Sequence, residues 1–316
     1  MEAPLPRVSA IIPTAGRPAL VIRAVRSALD QTMESLEVVA VLDGADPDAR
    51  ARLRSLEDPR VRVVEVPTRV GPGAARNVGV KAARASWIAF LDDDDEWLPG
   101  KLEAQLATAR ASSFRRPVVA ARVRARGRGE GAPIWPRRLP EPGEPFSEYL
   151  FSRRTLFWGE TLVHTSTLLV PRDLLFELPF REDLRKNEDL DWLLRALDRP
   201  GVGLEFIADP EPLAIWSVDG GRPRSSRRPD WRASLAWVRS VRPFVTRRAY
   251  AAFLLTSAAA DAARERSLLA FWHLPREAFR HGRPRALHVL LFIGIWLVPA
   301  GLRERLGRTL TSRGGA

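Results

Sequence analysis

Cysteine is absent from this chain of 316 residues. Disulfides, thiolate zinc sites and cysteine nucleophiles are therefore excluded. We expect no secretory signal, because residues 1–8 are short, contain proline and lead directly into a strand pattern. With 45% hydrophobic and 28% charged residues, the composition is that of an ordinary globular protein. A cytoplasmic location is the resulting expectation.

Acidic residues are scarce in the last third of the chain. After Gly221 there are 19 arginines and 5 acidic residues, whereas residues 1–221 hold 31 basic and 33 acidic residues. The whole basic excess of the protein therefore lies after Gly221. This segregation argues against a nucleic-acid groove in the main domain and predicts a tail that meets an anionic surface.

A long hydrophobic run is also lacking, with one borderline case. Residues 286–302 are apolar except for His288, are interrupted by Pro299 and have arginines on both sides. A spanning helix needs about 20 apolar residues, so this segment is at the short end. We predict a basic helical tail, 222–316, attached to the inner face of the cell membrane peripherally or through 286–302. Whether that segment spans the membrane, lies on it or packs in the protein is left open.

The clearest chemical signal is the stretch 87–99, which reads WIAFLDDDDEWLP. Its apolar start predicts a strand buried on both faces. The strand ends in four adjacent aspartates, Asp92–Asp95, which repel one another unless positive charge lies among them. A divalent cation with oxygen ligands, Mg²⁺ or Mn²⁺, would supply it. The alternative is a solvated acidic turn that caps the next helix.

Strand and helix patterns alternate around this stretch. The alternation predicts an α/β protein, with a parallel doubly wound sheet as the first choice. Strands are predicted at 7–13, 36–42, 61–66, 87–91, 118–124, 164–170, 202–207 and 213–217. Helices are predicted at 19–31, 47–56, 71–85, 99–111, 187–197, 231–241 and 247–274.

Five motifs in this order resemble the family 2 glycosyltransferases over roughly residues 7–220. They are Pro-Thr at 13–14, Asp-Gly at 43–44, GPGAARNVG at 71–79, FLDDDDEWLP at 90–99 and EDLDW at 188–192. The resemblance implies the GT-A fold, a Rossmann-like mixed sheet flanked by helices. It divides the domain into a nucleotide-sugar half, 1–115, and an acceptor half, 116–221. It also implies inverting transfer of a sugar from a nucleotide diphosphate to an acceptor hydroxyl.

The resemblance assigns nucleotide-sugar binding to Pro13, Thr14, Arg17 and Asp43. Asp43 would face the base, because a carboxylate can accept the imide N–H of uracil or thymine. The alternative is a turn-forming aspartate before Gly44.

The glycine-rich motif contributes Arg76 and Asn77 to the same list. Arg76 would contact the diphosphate or ribose. Gly71, Gly73 and Gly79 would let the backbone approach the ligand, whereas the plain alternative is entry into a helix.

The resemblance places the metal ligands and the general base in the two acidic motifs. The family's Asp-x-Asp corresponds to Asp92 and Asp94 as metal ligands, and Asp92 and Asp93 also count as donor-binding residues. Asp189 is expected to be the general base, with Glu188 in a supporting role, unless the pair only decorates a helix N-terminus. A lone His164 near the acceptor pocket is more often structural.

The expected partners are a nucleotide diphosphate-sugar donor and a saccharide or lipid-linked acceptor, in bacterial surface polysaccharide or glycolipid assembly. One alternative is a sugar nucleotidyltransferase, which would need a glycine-rich signature with a downstream lysine that residues 13–26 lack. The other is a non-catalytic, membrane-bound sugar-nucleotide-binding module.

Overall fold

The computed structural model describes residues 5–126, 132–156, 160–217 and 229–298. The chain forms two compact units. The first comprises the residues up to Ile134 together with Val163–Gly221. The second comprises Trp135–Leu162 together with the residues after Gly221. The segment 135–162 therefore shares a unit with the predicted tail, and the division into halves at residue 115 stays a prediction.

A seven-stranded mixed sheet forms the centre of the first unit, in the order β10-β6-β9-β4-β1-β2-β3. Every neighbouring pair is parallel except those of β9, which is antiparallel to β4 and β6. A smaller sheet has the order β5-β11-β7-β8. The predicted Rossmann-like mixed sheet is confirmed, and the purely parallel first choice is wrong at β9. The strands are β1 (Val8–Thr14), β2 (Leu36–Asp43), β3 (Val61–Val66), β4 (Trp87–Phe90), β5 (Glu96–Trp97), β6 (Arg116–Ala120), β7 (Val123–Arg126), β8 (Ile134–Trp135), β9 (Leu169–Pro171), β10 (Val202–Phe206) and β11 (Ala214–Ser217).

The helices follow the predicted periodicity in most places. In the first helix, Val21, Ala24, Val25 and Ala28 are buried at the spacing of one helical face. The α-helices are α1 (Pro18–Leu29), α2 (Pro47–Arg54), α3 (Pro72–Ala82), α4 (Lys101–Ala111), α5 (Phe146–Phe151), α6 (Arg172–Glu177), α7 (Glu188–Leu197), α8 (Trp231–Ser240), α9 (Arg247–Phe253), α10 (Ala259–Arg264), α11 (Leu268–His281) and α12 (Ala286–Leu297).

Strand order places the polar motifs at one edge of the sheet. β1 lies between β2 and β4, and its residues pair in parallel with both, Ile11 with Phe90 and Thr14 with Leu42. The carboxyl ends of these three strands therefore meet. Thr14, Asp43 and the aspartates after β4 follow directly from those ends, where open α/β sheets bind their ligands.

Three predicted elements differ from the structure. Residues 164–168 are not a strand, because the His164 side chain accepts a hydrogen bond from the Ser166 N–H and caps a 3₁₀ turn, Thr165–Thr167. The predicted helix 247–274 is interrupted by a π-helical turn at Leu254–Ala258. It breaks again before Ser267, whose side chain caps the new helix α11. The predicted strand 118–124 is likewise divided, into β6 and β7.

The second unit contains α5 and α8–α12. Its core includes Phe151, Trp237 and Phe253, whose rings meet edge to face at 5.1–6.1 Å between centroids. The predicted apolar segment is helical over Ala286–Leu297, and residues 299–302 of it lie outside the described residues. Within the described ranges, no helix combines the length and apolarity needed to cross a membrane.

One lysine of the first unit is fully buried. The Lys101 Nζ donates to Gln105 Oε1 at 2.6 Å and lies 4.1 Å from the centroid of the Trp97 ring. Burial lowers the pKa of Lys101 well below its usual range. The unfolded chain binds this proton up to about pH 10, so the unfolded state holds more protons and the folded protein gains stability as pH rises.

We expect Lys101→Met to remove this pH dependence. Relative to the wild type, the variant's unfolding free energy should fall by up to about 1.4 kcal/mol per pH unit between the folded and unfolded pKa values. Urea unfolding from about pH 7 to about pH 10 measures it. Lys81→Met is the control, because Lys81 is exposed. Parallel stability curves for the wild type and Lys101→Met would show that Lys101 is charged in the fold.

Candidate active site

Arg76 connects the two acidic motifs. Its Nη2 donates to Asp92 Oδ1 at 2.7 Å, and its Nη1 donates to Glu188 Oε1 at 2.8 Å. The Arg76 side chain is only 4% exposed. Although burial acts against its charge, Asp92 and Glu188 hold the pKa of Arg76 above its usual range. A fixed cation therefore lies between residues that are far apart in the sequence.

Asp93 is held by the end of β1. Its two carboxylate oxygens accept hydrogen bonds from Thr14 Oγ1 at 2.7 Å and Arg17 Nη1 at 2.9 Å. Burial raises the pKa of Asp93 to about 6, against the opposing charge of Arg17. Pro13 precedes Thr14 on the same strand. These four predicted donor-binding residues thus lie together, and their contact with a nucleotide stays a prediction.

Arginines supply part of the positive charge that the aspartate run requires. Arg17 Nη1 also lies 3.7 Å from Asp94 Oδ2. Arg23 donates to the Asp94 carbonyl oxygen at 3.0 Å and pairs with Glu96 at 2.7 Å. The run is therefore partly buried and lined by arginines.

Asp95 is the most deeply buried member of the run, at 1% exposure. Its Oδ2 accepts from Ser166 Oγ at 2.6 Å and its Oδ1 from the Ser217 N–H at 3.0 Å. His164 Nδ1 lies 3.6 Å from Asp95 Oδ2. Burial raises the pKa of Asp95, whereas His164 acts in the opposite direction.

Three side chains in this region could hold a metal ion. Asp92, Asp95 and His164 each offer a ligand atom, and these atoms lie within 4.8 Å of one another. Two carboxylates and an imidazole suit Mn²⁺ and related divalent ions. The donor set therefore fits a divalent cation. Asp94, the second predicted ligand, is outside this group and its role stays a prediction.

Asp43 organises the loop before α3. Its Oδ1 accepts from the Val70 N–H at 2.7 Å and its Oδ2 from the Gly71 N–H at 3.0 Å. The carboxylate therefore stabilises the entry to the glycine-rich helix. A carboxylate has further lone pairs that could accept a hydrogen bond from a nucleotide base. Recognition of the base by Asp43 stays a prediction.

The glycine-rich motif serves packing more than ligand approach. A Cβ on Gly79 would lie 2.4 Å from Ile11 Cγ2, so this glycine lets α3 pack against β1. A Cβ on Gly73 would lie 2.8 Å from the Arg181 carbonyl oxygen. Asn77 exchanges hydrogen bonds with the backbone of Phe180, at 2.9 and 3.0 Å. Close packing alone therefore requires glycine at positions 73 and 79, and their approach to a ligand stays a prediction. The amide of Asn77 fixes the chain before α7, and its contact with a donor also stays a prediction.

The predicted base lies in the first turn of α7. Asp189 Oδ2 accepts from Thr165 Oγ1 at 2.9 Å, and its Oδ1 accepts from the Leu190 N–H at 2.8 Å. These bonds fix the orientation of a half-buried carboxylate. Burial raises the pKa of the neighbouring Glu188, although the adjacent Arg76 opposes the shift.

Most of the segment 164–167 lies at the site although the sequence did not predict it there. Thr165 contacts Asp189, whereas Ser166 and His164 both contact Asp95. The His164 ring packs on Trp216 at 4.9 Å between centroids. The dense polar composition of HTST was the available signal, because a buried strand rarely carries four polar residues in sequence.

Comparison with known proteins decides the family. Residues 9–177, more than half of the chain, match glycosyl transferase family 2. The chain belongs to this family. The family predicted from the motifs is confirmed. The predicted enzyme class, glycosyltransferase, is confirmed as well.

Relatives and solved structures match this chain over different lengths. The amylovoran biosynthesis glycosyltransferase AmsB of Erwinia amylovora is 26% identical over 247 residues, 76% of this chain and 79% of that protein. The succinoglycan biosynthesis protein ExoO of Rhizobium meliloti is 37% identical over 108 residues, but this match spans only 31% of that protein. The S. aureus TarS 1–349 complex with UDP-GlcNAc has a TM-score of 0.58 at 19% identity, covering 82% of this chain and 71% of that chain. The GT-A fold is thereby confirmed.

Proposed function

We propose that this family 2 enzyme transfers a sugar, with inversion, from a nucleotide diphosphate-sugar to a hydroxyl of a saccharide or lipid-linked acceptor. The observation that carries the proposal is the joining of the two acidic motifs by Arg76, which places Asp92 and Glu188 on one guanidinium. The donor-side and base-side motifs are thus parts of one site. The TarS structure with UDP-GlcNAc supports a nucleotide-sugar donor.

We infer that Asp189 takes the proton of the acceptor hydroxyl. The acceptor oxygen forms a bond to the anomeric carbon while the bond from that carbon to the diphosphate oxygen breaks, and the hydroxyl proton passes to the Asp189 carboxylate. Thr165 and the Leu190 N–H hold that carboxylate in one orientation. Attack on the face opposite the leaving diphosphate inverts the anomeric centre.

A divalent cation, Mg²⁺ or Mn²⁺, is part of the proposal. Asp92 would hold it together with Asp95 and His164, or with Asp94 as the motif indicates. Such an ion would stabilise negative charge on the departing diphosphate. Arg17 and Arg76 are fixed cations of the chain that border the same carboxylates.

The biological setting is proposed from the relatives. AmsB and ExoO carry names of amylovoran and succinoglycan biosynthesis. We therefore propose assembly of a bacterial surface polysaccharide or glycolipid. A panel of sugar nucleotides, screened by thermal shift and then by transfer of labelled sugar, tests the donor, because a ligand that binds the native state raises the melting temperature. A panel without any shift or transfer would contradict the proposal.

Asp92→Asn is expected to abolish the metal-dependent part of nucleotide binding and of transfer. It removes a carboxylate common to both candidate ligand sets. Thermal shift by the nucleotide diphosphate with and without Mn²⁺ measures the effect, and Asp48→Asn on the exposed side of α2 is the control. His164→Ala and Asp94→Asn are then compared. Loss of metal dependence in one of these variants identifies its residue as a further ligand. Full turnover of Asp92→Asn in excess chelator would contradict the proposal that a divalent cation takes part in transfer.

A further inference from the structure

The helices α11 and α12 of the second unit expose large apolar side chains. Seven of the twelve exposed large hydrophobic residues in the described ranges lie on these two helices, each 45–76% exposed. The other five are scattered singly over the chain. The seven are Leu268, Leu269, Trp272, Phe279, Leu290, Ile293 and Leu297. A concentration of this kind marks an interaction surface.

The spacing of these residues defines one face on each helix. On α12, Leu290, Ile293 and Leu297 follow at intervals of three and four, so they lie on one side, while His288 and Phe292 are buried on another. On α11, Leu268, Trp272 and Phe279 form the corresponding stripe. We call these two stripes together the apolar face.

Aromatic contacts hold the two helices side by side. The Phe271 ring lies 5.5 Å from the Phe292 ring and 5.2 Å from the Trp296 ring, between centroids. Each of these three residues is the sequence neighbour of an exposed member of the apolar face, namely Trp272, Ile293 or Leu297. The two stripes therefore lie on helices that pack against each other.

The charges around the apolar face are of one sign. Arg276, Arg280 and Arg283 are exposed beside it. Glu277 is the one acidic residue in the sequence 268–297, and its carboxylate is occupied by Arg239 and Tyr250 at 2.9 and 2.7 Å. A second copy of the chain would bring arginines against arginines. An anionic surface complements them instead.

We infer that the apolar face lies in the headgroup region of an anionic phospholipid bilayer, with α11 and α12 in the plane of the membrane. The 12 residues of α12 are about 18 Å long, against about 30 Å of hydrocarbon, so this helix does not cross. The leucines, isoleucine and Trp272 enter the boundary between headgroups and acyl chains, and the arginines meet phosphates.

Vesicle sedimentation tests the inference with the full chain. The wild type is expected to sediment with phosphatidylcholine–phosphatidylglycerol vesicles, and more weakly with phosphatidylcholine alone. The triple variant Leu290→Ser/Ile293→Ser/Leu297→Ser should lower the partition coefficient at least about tenfold. Leu156→Ser is the matched control, because Leu156 is a leucine of the same unit with the same 62% exposure as Leu290 but lies off both helices.

A second variant separates charge from apolar burial. Arg276→Gln/Arg280→Gln/Arg283→Gln should weaken binding to the anionic vesicles and remove its salt dependence, with little effect on phosphatidylcholine. Vesicle binding needs no sugar donor, so it is independent of transfer. Equal sedimentation of the wild type and the triple apolar variant would overturn the inference. So would a wild-type dimer in sedimentation velocity that the apolar substitutions dissociate, because the face would then cover a second copy.

Discussion

Asp189→Asn is expected to lower turnover by about 10²–10⁴, with the affinity for the sugar nucleotide nearly unchanged. The acceptor hydroxyl is a poor nucleophile at neutral pH and needs a base within hydrogen-bond reach. Asparagine keeps the size of the side chain. Its oxygen can accept from the Leu190 N–H, and its amide nitrogen can donate to Thr165 Oγ1, in place of the two bonds that the carboxylate accepts. The change thus removes basicity while the geometry is retained. Steady-state transfer of labelled sugar measures turnover, and titration of the donor measures affinity.

Glu188→Gln is the matched control, one residue away on α7. We expect a milder loss, because a glutamine oxygen can still accept from Arg76 Nη1, which pairs with Glu188 at 2.8 Å. If Glu188→Gln has no measurable turnover while Asp189→Asn keeps near-full turnover, the base is Glu188. If both variants stay active, the acidic pair only decorates the helix N-terminus, and His164 is the next candidate.

Arg76→Met is expected to cost about 3–5 kcal/mol of unfolding free energy. The substitution leaves Asp92 and Glu188 without the guanidinium that both contact, and one partner of a buried ion pair is costly to leave alone. Urea unfolding measures the loss. Since the unpaired Glu188 would bind a proton more readily in the folded state, the deficit should shrink as pH falls and grow as pH rises.

Two further variants give this prediction its controls. Arg52→Met removes an exposed arginine that pairs with Asp48 at 2.9 Å, and its cost should be much smaller because solvent screens this surface pair. Arg76→Lys keeps the charge but replaces the planar fork, so we expect an intermediate loss. Equal costs for Arg76→Met and Arg52→Met would mean that the buried bridge contributes no more than a surface pair.

Local sequence patterns predicted most of the strands and helices. The apolar runs at 36–42, 61–66 and 87–91 are strands within one residue of the predicted ends. These signals are local because burial on both faces of a sheet requires continuous apolar residues. The turn at 164–168 escaped prediction because a single side-chain cap, at His164, decides it.

The glycines of the motif have a packing role that the local sequence does not show. GPGAARNVG indicated a helix entry beside a ligand, and α3 does begin there. The need for glycine at position 79 comes from Ile11, which lies on a strand far away in the sequence. Spacing within the motif cannot reveal that contact.

Local sequence was enough to predict the family, the strand that ends in aspartates and the basic, apolar character of the last third. These are properties of neighbouring residues, so they are visible before folding. The contacts of Arg76 with Asp92 and Glu188, and of His164 and Ser166 with Asp95, could be found only in the folded chain. The physical reason is strand order: β9 is inserted antiparallel beside β4, so the turn that precedes β9 lies against the aspartates that follow β4.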